Sequence, residues 1–468
     1  MTDNLKRYPL MKATNLPWVD QVPSHWELVP NRALLRKRKV LVGDRHADYR
    51  LLSLTKSGVI VRDISTGRGK FSADMGTSQE VREGDLVFCL FDVPETPRTV
   101  GLSRHHGMIT GAYTVFECKD THLARFLEAF YIAMDDRKLL SPLYSGLRNT
   151  IPPPVLLGQK TPLPPAPEQA AIVRFLDHAD RKIRRYIHAK QKLIKLLEEQ
   201  KQAIINRAVT RGLDPNVPLK PTGVEWMGEV PDHWEVVRSR RLFTARKDFA
   251  LPGDVQLSAT QAYGVIPQEE YERQVGRRVV KISMHLEKRK HVERGDFVMS
   301  MRSFQGGLER AWSTGAIRSS YVVFKPSNAV DTDFYTYLFK SRGYIGALQA
   351  TADFIRDGQD LTEANFRGVD LPLPPRPEQA LIASYIAKST KRSVYEASRL
   401  EREINLLLEY RNRLIADVVT GKLDVREAAA QLPDEDQELP PIDESDEISG
   451  AEEDGFDDLD EGTEEPEP

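Results

Sequence analysis

The chain lacks most of the residue patterns that mark small secreted, membrane-bound or metal-binding proteins. Only Cys89 and Cys118 are cysteines among the 468 residues, and they form no CxxC pair. Two isolated thiols give neither a disulfide framework nor a cysteine-based zinc site, which favours a reducing compartment. No run of eighteen apolar residues occurs, and the first residues contain no apolar core of a signal peptide. We therefore expect a soluble cytoplasmic protein without a membrane span.

Recognisable catalytic motifs are also lacking. Residues 67–70 read Gly-Arg-Gly-Lys, but Ile64 and Phe71 stand where a phosphate-binding loop needs glycine and Ser or Thr. His105 and His106 are adjacent, so they cannot share one helix face as metal ligands at i, i+4 do. No GxSxG, HExxH or nuclease-like carboxylate cluster stands out. We expect no catalytic residue, no metal site and no cofactor in this chain.

Charge is unevenly distributed along the chain. Residues 431–468 contain 18 Asp and Glu and no Lys or Arg; the other 51 acids face 66 Lys and Arg, so residues 1–430 carry about +15. A basic body of this kind suits a polyanionic partner, although any single Lys or Arg is better explained as a solvated surface residue. For the acidic tail two interpretations stay open: a disordered solubilising extension, or a DNA mimic that shields the basic body.

An internal repeat organises the basic body. Residues 22–39 and 230–247 are identical at ten of eighteen positions, at an offset of 208. Further segments match in the same order: 81–88 with 292–299, 107–116 with 315–324, 163–172 with 373–382, and 196–214 with 406–424. The chain is therefore a duplicated unit of about 210 residues.

The stretches between the matched blocks have diverged. Residues 48–80 have little in common with 250–291, and residues 117–150 have little in common with 325–355. A shared frame with divergent inserts is expected if each copy recognises a different target.

The tripeptide His-Trp-Glu opens both copies, at residues 25–27 and 233–235. It could be a catalytic trio. A tryptophan between polar neighbours at a domain entrance is more often a packing anchor, and we favour that interpretation.

Each copy predicts a compact α+β domain followed by a long helix. The expected elements of the first copy are strands at 85–91 and 113–117 and a helix near 122–134; those of the second are strands at 292–299 and 321–325 and a helix at 334–348. Proline-rich segments at 162–167 and 372–377 then end a strand and begin a helix.

The two long helices are predicted at 168–211 and 378–420, with Gly212 and Gly421 as stops and Glu168 and Glu378 in the first turns. Each would span roughly 65 Å. Their apolar residues recur at three-four spacing, as in a coiled coil: Ile172, Leu176, Ala179, Ile183, Tyr186, Leu193, Leu197 and Ile204 in the first, and Ile382, Ile386, Ile404, Leu407, Leu414 and Ile415 in the second.

We expect these helices to pair with each other rather than only with their own domains. A parallel pair would require the chain to return along the full helix, so an antiparallel pair is favoured. The fold class is then α+β (mixed α/β), with two globular domains separated by an antiparallel coiled coil and related by a pseudo-twofold repeat. The predicted boundaries are 1–160 for the first domain, 161–214 for the first helix, 215–371 for the second domain, 372–424 for the second helix and 425–468 for the acidic tail.

Basic, aromatic and amide side chains concentrate in the divergent loops. Arg can read guanine bidentately and Asn or Gln can read adenine, whereas most Lys and Arg contact phosphates. The candidate DNA-binding residues are Arg62, Arg68, Lys70, Arg98, Arg104, Tyr144, Arg148 and Asn149 in the first copy, and Arg273, Arg277, Arg278, Arg302, Gln305, Arg310, Arg356 and Gln359 in the second.

The matched blocks resemble the specificity subunit of type I restriction–modification systems. The resemblance rests on VPSHWELVPNRALL and VPDHWEVVRSRRLF, on FCLFDVPETPRTVGLSRHHGMITGAYTVF and MSMRSFQGGLERAWSTG, and above all on the two PLPP-x-PEQ segments before the helices. It covers about residues 20–425. Two features depart from the pattern: Arg318, where a small or apolar residue is expected, and the acidic tail.

The resemblance implies a non-catalytic subunit with two target recognition domains, each reading one half of a split DNA sequence. Its helices would dock two methyltransferase subunits, through Ile172, Leu176, Ile183, Leu193, Leu197, Ile382, Ile386, Ile404, Leu407 and Leu414. S-adenosylmethionine, ATP and Mg would then act in the partner subunits, which include restriction and translocase subunits in the full complex. Two alternatives stay open: a stand-alone nuclease, and a coiled-coil adaptor without DNA contact.

The helical spacer makes a prediction of its own. Lengthening the helix at 168–211 by two turns should change the spacing between the two half-sites and leave both half-site sequences unchanged. The methylated sites of a host strain that carries the lengthened chain would show this. Unchanged spacing would contradict a role of the helices as a ruler.

Overall fold

The structure is a computed structural model that describes residues 5–56, 58–62, 75–96, 98–276, 278–279, 286–300, 303–351 and 361–433. It divides into two units. Within the described ranges, unit 1 comprises residues 5–189 and 402–433, and unit 2 comprises residues 190–401. Each unit therefore combines one copy of the repeat with part of both long helices.

The elements up to the first long helix are strands β1 (Met11–Leu16), β2 (Val19–Pro23), β3 (Glu27–Pro30), β4 (Leu35–Arg38), β5 (Leu52–Thr55), β6 (Gly58–Val61), β7 (Gln79–Val81), β8 (Leu86–Phe88), β9 (Val100–Leu102), β10 (Gly107–Ile109), β11 (Thr114–Cys118) and β12 (Lys160–Leu163), and helices α1 (Asn31–Leu34), α2 (Thr121–Asp136), α3 (Pro153–Gly158) and α4 (Ala166–Arg211).

The elements that follow are strands β13 (Leu219–Pro221), β14 (Glu229–Pro231), β15 (Glu235–Arg238), β16 (Phe243–Arg246), β17 (Leu257–Thr260), β18 (Gly264–Pro267), β19 (Lys290–Val292), β20 (Phe297–Met299), β21 (Glu309–Arg310), β22 (Gly315–Ile317), β23 (Val322–Pro326) and β24 (Asp370–Leu373), and helices α5 (Ser239–Leu242), α6 (Gln268–Val275), α7 (Ser303–Gly306), α8 (Thr332–Phe339), α9 (Arg342–Ala350), α10 (Glu363–Gly368), α11 (Arg376–Val419) and α12 (Arg426–Ala430).

The two units repeat the same sheet topology. Unit 1 has a four-stranded antiparallel sheet in the order β4-β11-β8-β9, and unit 2 has its counterpart in the order β16-β23-β20-β21. The strand before each long helix pairs with the strand at the domain entrance, β12 with β3 and β24 with β15. The duplicated α+β fold predicted from the sequence is therefore confirmed.

Each core is built around the tryptophan of the His-Trp-Glu segment. Trp26 and Trp234 have no exposed surface, and each lies in the main apolar cluster of its unit. In unit 1 the Trp26 ring meets Phe126 edge to face at a centroid distance of 6.1 Å. Burying an aromatic side chain of this size contributes a few kcal/mol, so the packing-anchor interpretation of this segment is confirmed.

One expected helix is two helices. The sequence pattern predicts a single helix over 334–348, but α8 ends at Phe339 and α9 begins at Arg342. Ser341 is extended and its hydroxyl accepts a hydrogen bond from the amide of Tyr344, so it caps a new helix. In unit 1 the corresponding helix α2 is continuous for 16 residues.

The long helices have the predicted extent, 46 residues for α4 and 44 for α11. Gly212 and Gly421 follow them with φ of +67° and +71°, the left-handed conformation in which glycine ends a helix.

Within unit 1 the two helical segments run antiparallel. The first turn of α4 carries Glu168, which accepts a hydrogen bond from the indole of Trp26 at 2.8 Å, and the end of α11 is close by, because a Cβ on Gly421 would lie 3.3 Å from the same indole. Three turns further along α4, Asp180 pairs with Arg411, which precedes Gly421 in the chain.

Unit 2 repeats this arrangement with the roles of the helices exchanged. A Cβ on Gly212, after α4, would lie 3.3 Å from the Trp234 ring and 3.3 Å from the carboxylate of Glu378, at the start of α11. Further along, the Ser393 hydroxyl donates to the side-chain carbonyl of Gln200 at 3.3 Å. The antiparallel helix pair predicted from the sequence is confirmed within each unit.

Each unit has a buried ion pair at the equivalent strand of its four-stranded sheet. Arg38 on β4 pairs with Asp85, and Arg246 on β16 pairs with Asp296 at 2.8 Å, with Asp296 only 3% exposed. Burial raises the pKa of both aspartates although the arginines oppose this. A carboxylate in such a place depends on its cation for stability.

Removing that cation should therefore be costly. We expect Arg246→Ala to lower the free energy of unfolding of unit 2 by about 3–5 kcal/mol, because Asp296 stays buried without its cation and keeps only the Glu293 amide as a donor. Denaturant titration measures the change. The matched control is Arg238→Ala, whose exposed pair with Asp370 should cost less than about 1 kcal/mol. Equal losses in the two variants would contradict this account.

Candidate nucleic-acid interface

In unit 1 a tight loop presents three adjacent side chains to solvent. Ser145 and Thr150 pair through two backbone hydrogen bonds of 2.8 and 3.0 Å, and the four residues between them form the loop tip. Gly146 has a φ of +70° and Asn149 one of +43°, both in the left-handed region that glycine and asparagine adopt most readily. Leu147, Arg148 and Asn149 are exposed. The predicted residues Arg148 and Asn149 are thus neighbours at one loop tip, where a guanidinium and an amide can reach a base edge.

Residues 91–96 belong to a second loop that lies against the first. The amide of Asp92 donates to the carbonyl of Arg148 at 3.0 Å, and the amide of Ile151 donates to the carbonyl of Leu90 at 2.8 Å. The two loops therefore form one surface. Tyr144, another predicted residue, lies half-buried beside the first loop.

The second loop is anchored by a buried carboxylate that sequence reasoning missed. Asp135, 2% exposed at the end of α2, accepts hydrogen bonds from the Thr99 amide at 2.7 Å, the Thr99 hydroxyl at 2.6 Å and the Lys138 ammonium at 2.8 Å. Lys138 also donates to the carbonyls of Val93 and Thr96. An aspartate in the last turn of a helix, three residues before a lysine, carries no sequence signal for such a role.

The remaining candidates of unit 1 are placed differently. Arg98 is largely buried, with its side chain 12% exposed and bonded to Asp136 at 2.7 Å, so its guanidinium stabilises the loop and is little available to a ligand. Arg104 is exposed between β9 and β10, and Arg62 is half-buried directly after β6.

Unit 2 presents a group of aromatic rings at the hairpin β17–β18. The hairpin β17–β18 leads into α6, and the Tyr263 and Tyr271 rings lie 6.3 Å apart. Trp312 joins them, because its amide donates to the carbonyl of Val265 at 2.9 Å and its indole lies 2.7 Å from a Cβ placed on Gly264. Trp312 and Tyr263 are each about two-fifths exposed, at 42% and 40%. Sequence reasoning missed this group because Tyr144, in the first copy, is the one aromatic residue among its candidates.

The predicted residues around that group differ in exposure. Arg273 on α6, Arg278 and Gln305 on α7 are exposed. Arg310 is only 13% exposed; it pairs with Asp333 and lies over the Trp312 ring at 4.3 Å. It therefore positions the tryptophan. Arg68, Lys70, Arg277, Arg302, Arg356 and Gln359 lie outside the described residues.

The residues predicted to dock partner subunits fall into two groups. Ile172, Leu176 and Ile183 in unit 1 are buried, as are Ile382, Ile386 and Leu414. Because at most 9% of each of these six residues is exposed, they pack inside the units, and their predicted contact with partner subunits stays a prediction. Of the other four, Leu193 is 46% exposed, and the half-buried members are Leu197, Ile404 and Leu407.

The exposed apolar residues of the helices form a set that shares only Leu193 with the predicted docking residues. In unit 1 they are Tyr186, Leu406 and Leu408; in unit 2 they are Leu193, Leu196, Leu381, Tyr385, Val394 and Tyr395. Exposed apolar groups of this size on a helix mark a surface that another protein can cover. Within the described ranges no helix could cross a membrane, and no three His, Cys, Asp or Glu side chains lie together as a metal site.

Comparison with known structures shows that this architecture has been observed before. A chain from a study of complex assembly and conformational transition of the type I R-M system superposes with a TM-score of 0.55, at 14% identity, over 86% of this chain and 99% of that one. The protein described here therefore shares the fold of that type I restriction–modification chain. The resemblance predicted from the sequence is thereby confirmed for the fold.

Two further structures give lower scores. The HsdS subunit from Thermoanaerobacter tengcongensis has a TM-score of 0.37 at 15% identity, covering 86% of this chain and 98% of that one. The type I S subunit from M. genitalium has a TM-score of 0.33 at 12% identity, covering 87% and 97%. No protein-family model matches the sequence.

A buried glutamate next to Arg310 makes unit 2 sensitive to pH. Burial raises the pKa of Glu309 to about 7, although Lys340 opposes the shift. Between its unfolded pKa near 4.5 and about 7, the folded state binds more protons than the unfolded state, so stability falls as pH rises through this window. The full loss is at most about 3 kcal/mol.

We therefore expect Glu309→Gln to reduce the difference in unfolding free energy of unit 2 between pH 5 and pH 8. Denaturant titration at both pH values measures that difference. Glu225→Gln, at an exposed position of the same unit, should leave it unchanged. An undiminished difference in the Glu309 variant would contradict the assignment.

Proposed function

We propose that this chain is the DNA-recognition subunit of a type I restriction–modification complex, with each unit reading one half of a bipartite sequence. The observation that carries the proposal is the contrast between a repeated frame and unrepeated surfaces. Among the described residues, the sheets, the tryptophan anchors and the ion pairs recur in both units, whereas exposed loop residues differ, as with Arg104 of unit 1 and Trp312 of unit 2, which hold the same position of the repeat. A duplicated reader of two different half-sites needs this combination.

The chemistry of each surface suits a different form of contact. In unit 1, Arg148 and Asn149 project from one loop tip, and such side chains form bidentate pairs with guanine and adenine. In unit 2, Trp312 and Tyr263 offer ring faces and edges beside the exposed Arg273, which suits apolar contact with a thymine methyl and a phosphate contact. The two half-sites should therefore differ in sequence.

The exposed apolar residues of the helices support the docking of methyltransferase subunits, one on each unit. The set in unit 1 is centred on Tyr186 and Leu406, and the set in unit 2 on Tyr385 and Tyr395. Tyrosine is well suited to an interface core, where aromatic residues are enriched and often supply much of the binding energy.

On this proposal the chain itself is non-catalytic and acts in the cytoplasm. S-adenosylmethionine, ATP and Mg are used by the partner methyltransferase, restriction and translocase subunits.

The test is a map of methylated adenines in a host that expresses the chain with its methyltransferase partners. We expect the double variant Arg148→Ala, Asn149→Ala to relax or lose one half of the recognised sequence only, since each bidentate pair supplies about 1–3 kcal/mol of discrimination. The double variant Arg273→Ala, Trp312→Ala should change the other half only.

Arg32→Ala and Arg240→Ala are matched controls, because both arginines are exposed at the same position of the repeated frame, on α1 and α5. Both should leave the map unchanged. A map that does not depend on this chain, or loop variants that change both halves together, would contradict the proposal.

A further inference from the structure

Unit 1 contains a large groove that the proposed function does not use. Its volume is about 1200 Å³, and it is lined by the hairpin β1–β2, the end of α2 and the last turns of α11. Trp18 and Tyr410 contribute aromatic rings, and Arg7, Arg137, Arg413 and Lys422 contribute cations.

The other unit shows why a groove exists here. Trp226 occupies the same position of the repeat as Trp18, and α9 covers it: the Tyr344 ring meets it edge to face at 6.0 Å, and a Cβ on Gly343 would lie 3.3 Å from it. The start of α9 also rests on α4, since the amide of Arg342 donates to the Gln202 side chain at 3.3 Å.

Unit 1 has no counterpart of α9. After α2 ends at Asp136, residues 137–152, all of which the structure describes, contain only a single turn of 3-10 helix before α3 begins. The space that a helix fills in unit 2 is therefore open in unit 1, and Trp18 forms part of its wall.

The groove is equipped to hold an anion with apolar side chains. The indole N–H of Trp18 and the hydroxyl of Tyr410 are buried and have no hydrogen-bond partner among the described residues. Unpaired buried donors cost about 1–3 kcal/mol each, which an acceptor in the groove would recover. Carboxylates are acceptors only, and Arg413, whose side chain is 82% accessible, can meet one although it also lies 3.7 Å from Asp417.

The walls include carboxylates as well as cations. Asp417 lies 3.7 Å from Arg413 and 3.5 Å from Lys422, and Asp20 is on the hairpin. Met11, Val19, Leu139 and Leu414 are apolar. Such a surface is less suited to a uniform row of phosphates than to a peptide in which acids alternate with apolar residues.

The chain carries a peptide of that composition directly after unit 1's last described element. Residues 434–468 contain 18 Asp and Glu, and Leu439, Ile442, Ile448, Phe456 and Leu459 are spread among them. The chain enters this segment from unit 1, because α12 packs into the same apolar cluster as Leu414, and Arg174 donates to the carbonyl of Pro433 at 3.1 Å. Tethering to the same unit gives such a segment an effective concentration in the millimolar range.

We propose that this groove is a docking site for the acidic segment 434–468 of the same chain, which takes the place that α9 has in unit 2. The acids pair with the groove cations and accept from Trp18 and Tyr410, and the apolar residues cover the walls. The proposal stands on unit 1 alone and does not depend on the DNA-reading function.

A binding measurement tests it with the full chain. All 18 acids of the segment are replaced by Asn or Gln in the chain itself, and a fluorescent synthetic peptide of residues 434–468 is added. We expect saturable binding that weakens on the order of tenfold in the double variant Arg137→Ala, Arg413→Ala, as two exposed ion pairs would give. Arg32→Ala should leave it unchanged, and circular dichroism verifies that each variant is folded.

Hydrogen exchange of the unmodified chain gives an independent readout. Amides of residues 11–21 and 410–423 should exchange more slowly in the natural chain than in the chain with the neutralised segment. Absence of peptide binding, equal binding by the double variant, or identical exchange in the two chains would overturn the proposal. So would a double variant that loses affinity for duplex DNA but keeps its affinity for the peptide, since the groove would then be a DNA surface.

Discussion

The carboxylate in the first turn of each long helix is the constraint on which the architecture depends. In unit 1, Glu168 is 5% exposed and accepts hydrogen bonds from Tyr8 at 2.5 Å, from Trp26 at 2.8 Å and from His25 at 2.8 Å. The helix dipole favours a negative charge at this position, and three donors offset the cost of burying it. The first turn of α4, a helix of 46 residues, is thereby hydrogen-bonded to the tryptophan in the core. These contacts set the direction of α4 relative to the sheet of unit 1, and both copies of the repeat contain the tryptophan, histidine and glutamate involved.

In the second copy the carboxylate at the start of the long helix accepts fewer hydrogen bonds. Glu378 accepts from His233 at 2.8 Å, but it is more exposed, and the indole of Trp234 has no partner among the described residues. A Cβ on Gly212 would lie 3.3 Å from the Glu378 carboxylate and 3.3 Å from the Trp234 ring. In unit 2 the end of α4 therefore packs against the residues at the start of α11. Because each long helix ends where the other begins, the duplicated sequence produces an antiparallel helix pair.

The sequence predicts this frame well because its signals are local. Prolines before each helix, glycines after it and a three-four apolar spacing between them depend only on neighbours in the chain. The exposed surface was harder to predict, since whether an arginine is free depends on residues distant in sequence. Arg98 and Arg310 look like candidate DNA contacts by composition, but they are largely buried and paired with Asp136 and Asp333. Arg148, at a loop tip without such acids, is exposed as expected.

The same distinction explains why the two copies could diverge where they did. Changing a side chain that pairs with Asp85 or Asp296 leaves a buried charge, at a cost of about 3–5 kcal/mol, which is a large part of a domain's stability. Changing Arg148 or Trp312, with much of the side chain in solvent, usually costs less than about 1 kcal/mol. A duplicated frame can therefore hold its core constant while its loops acquire different chemistry. The groove beside Trp18 is a further difference of this kind, because unit 1 keeps the same frame without a counterpart of α9 among its described residues.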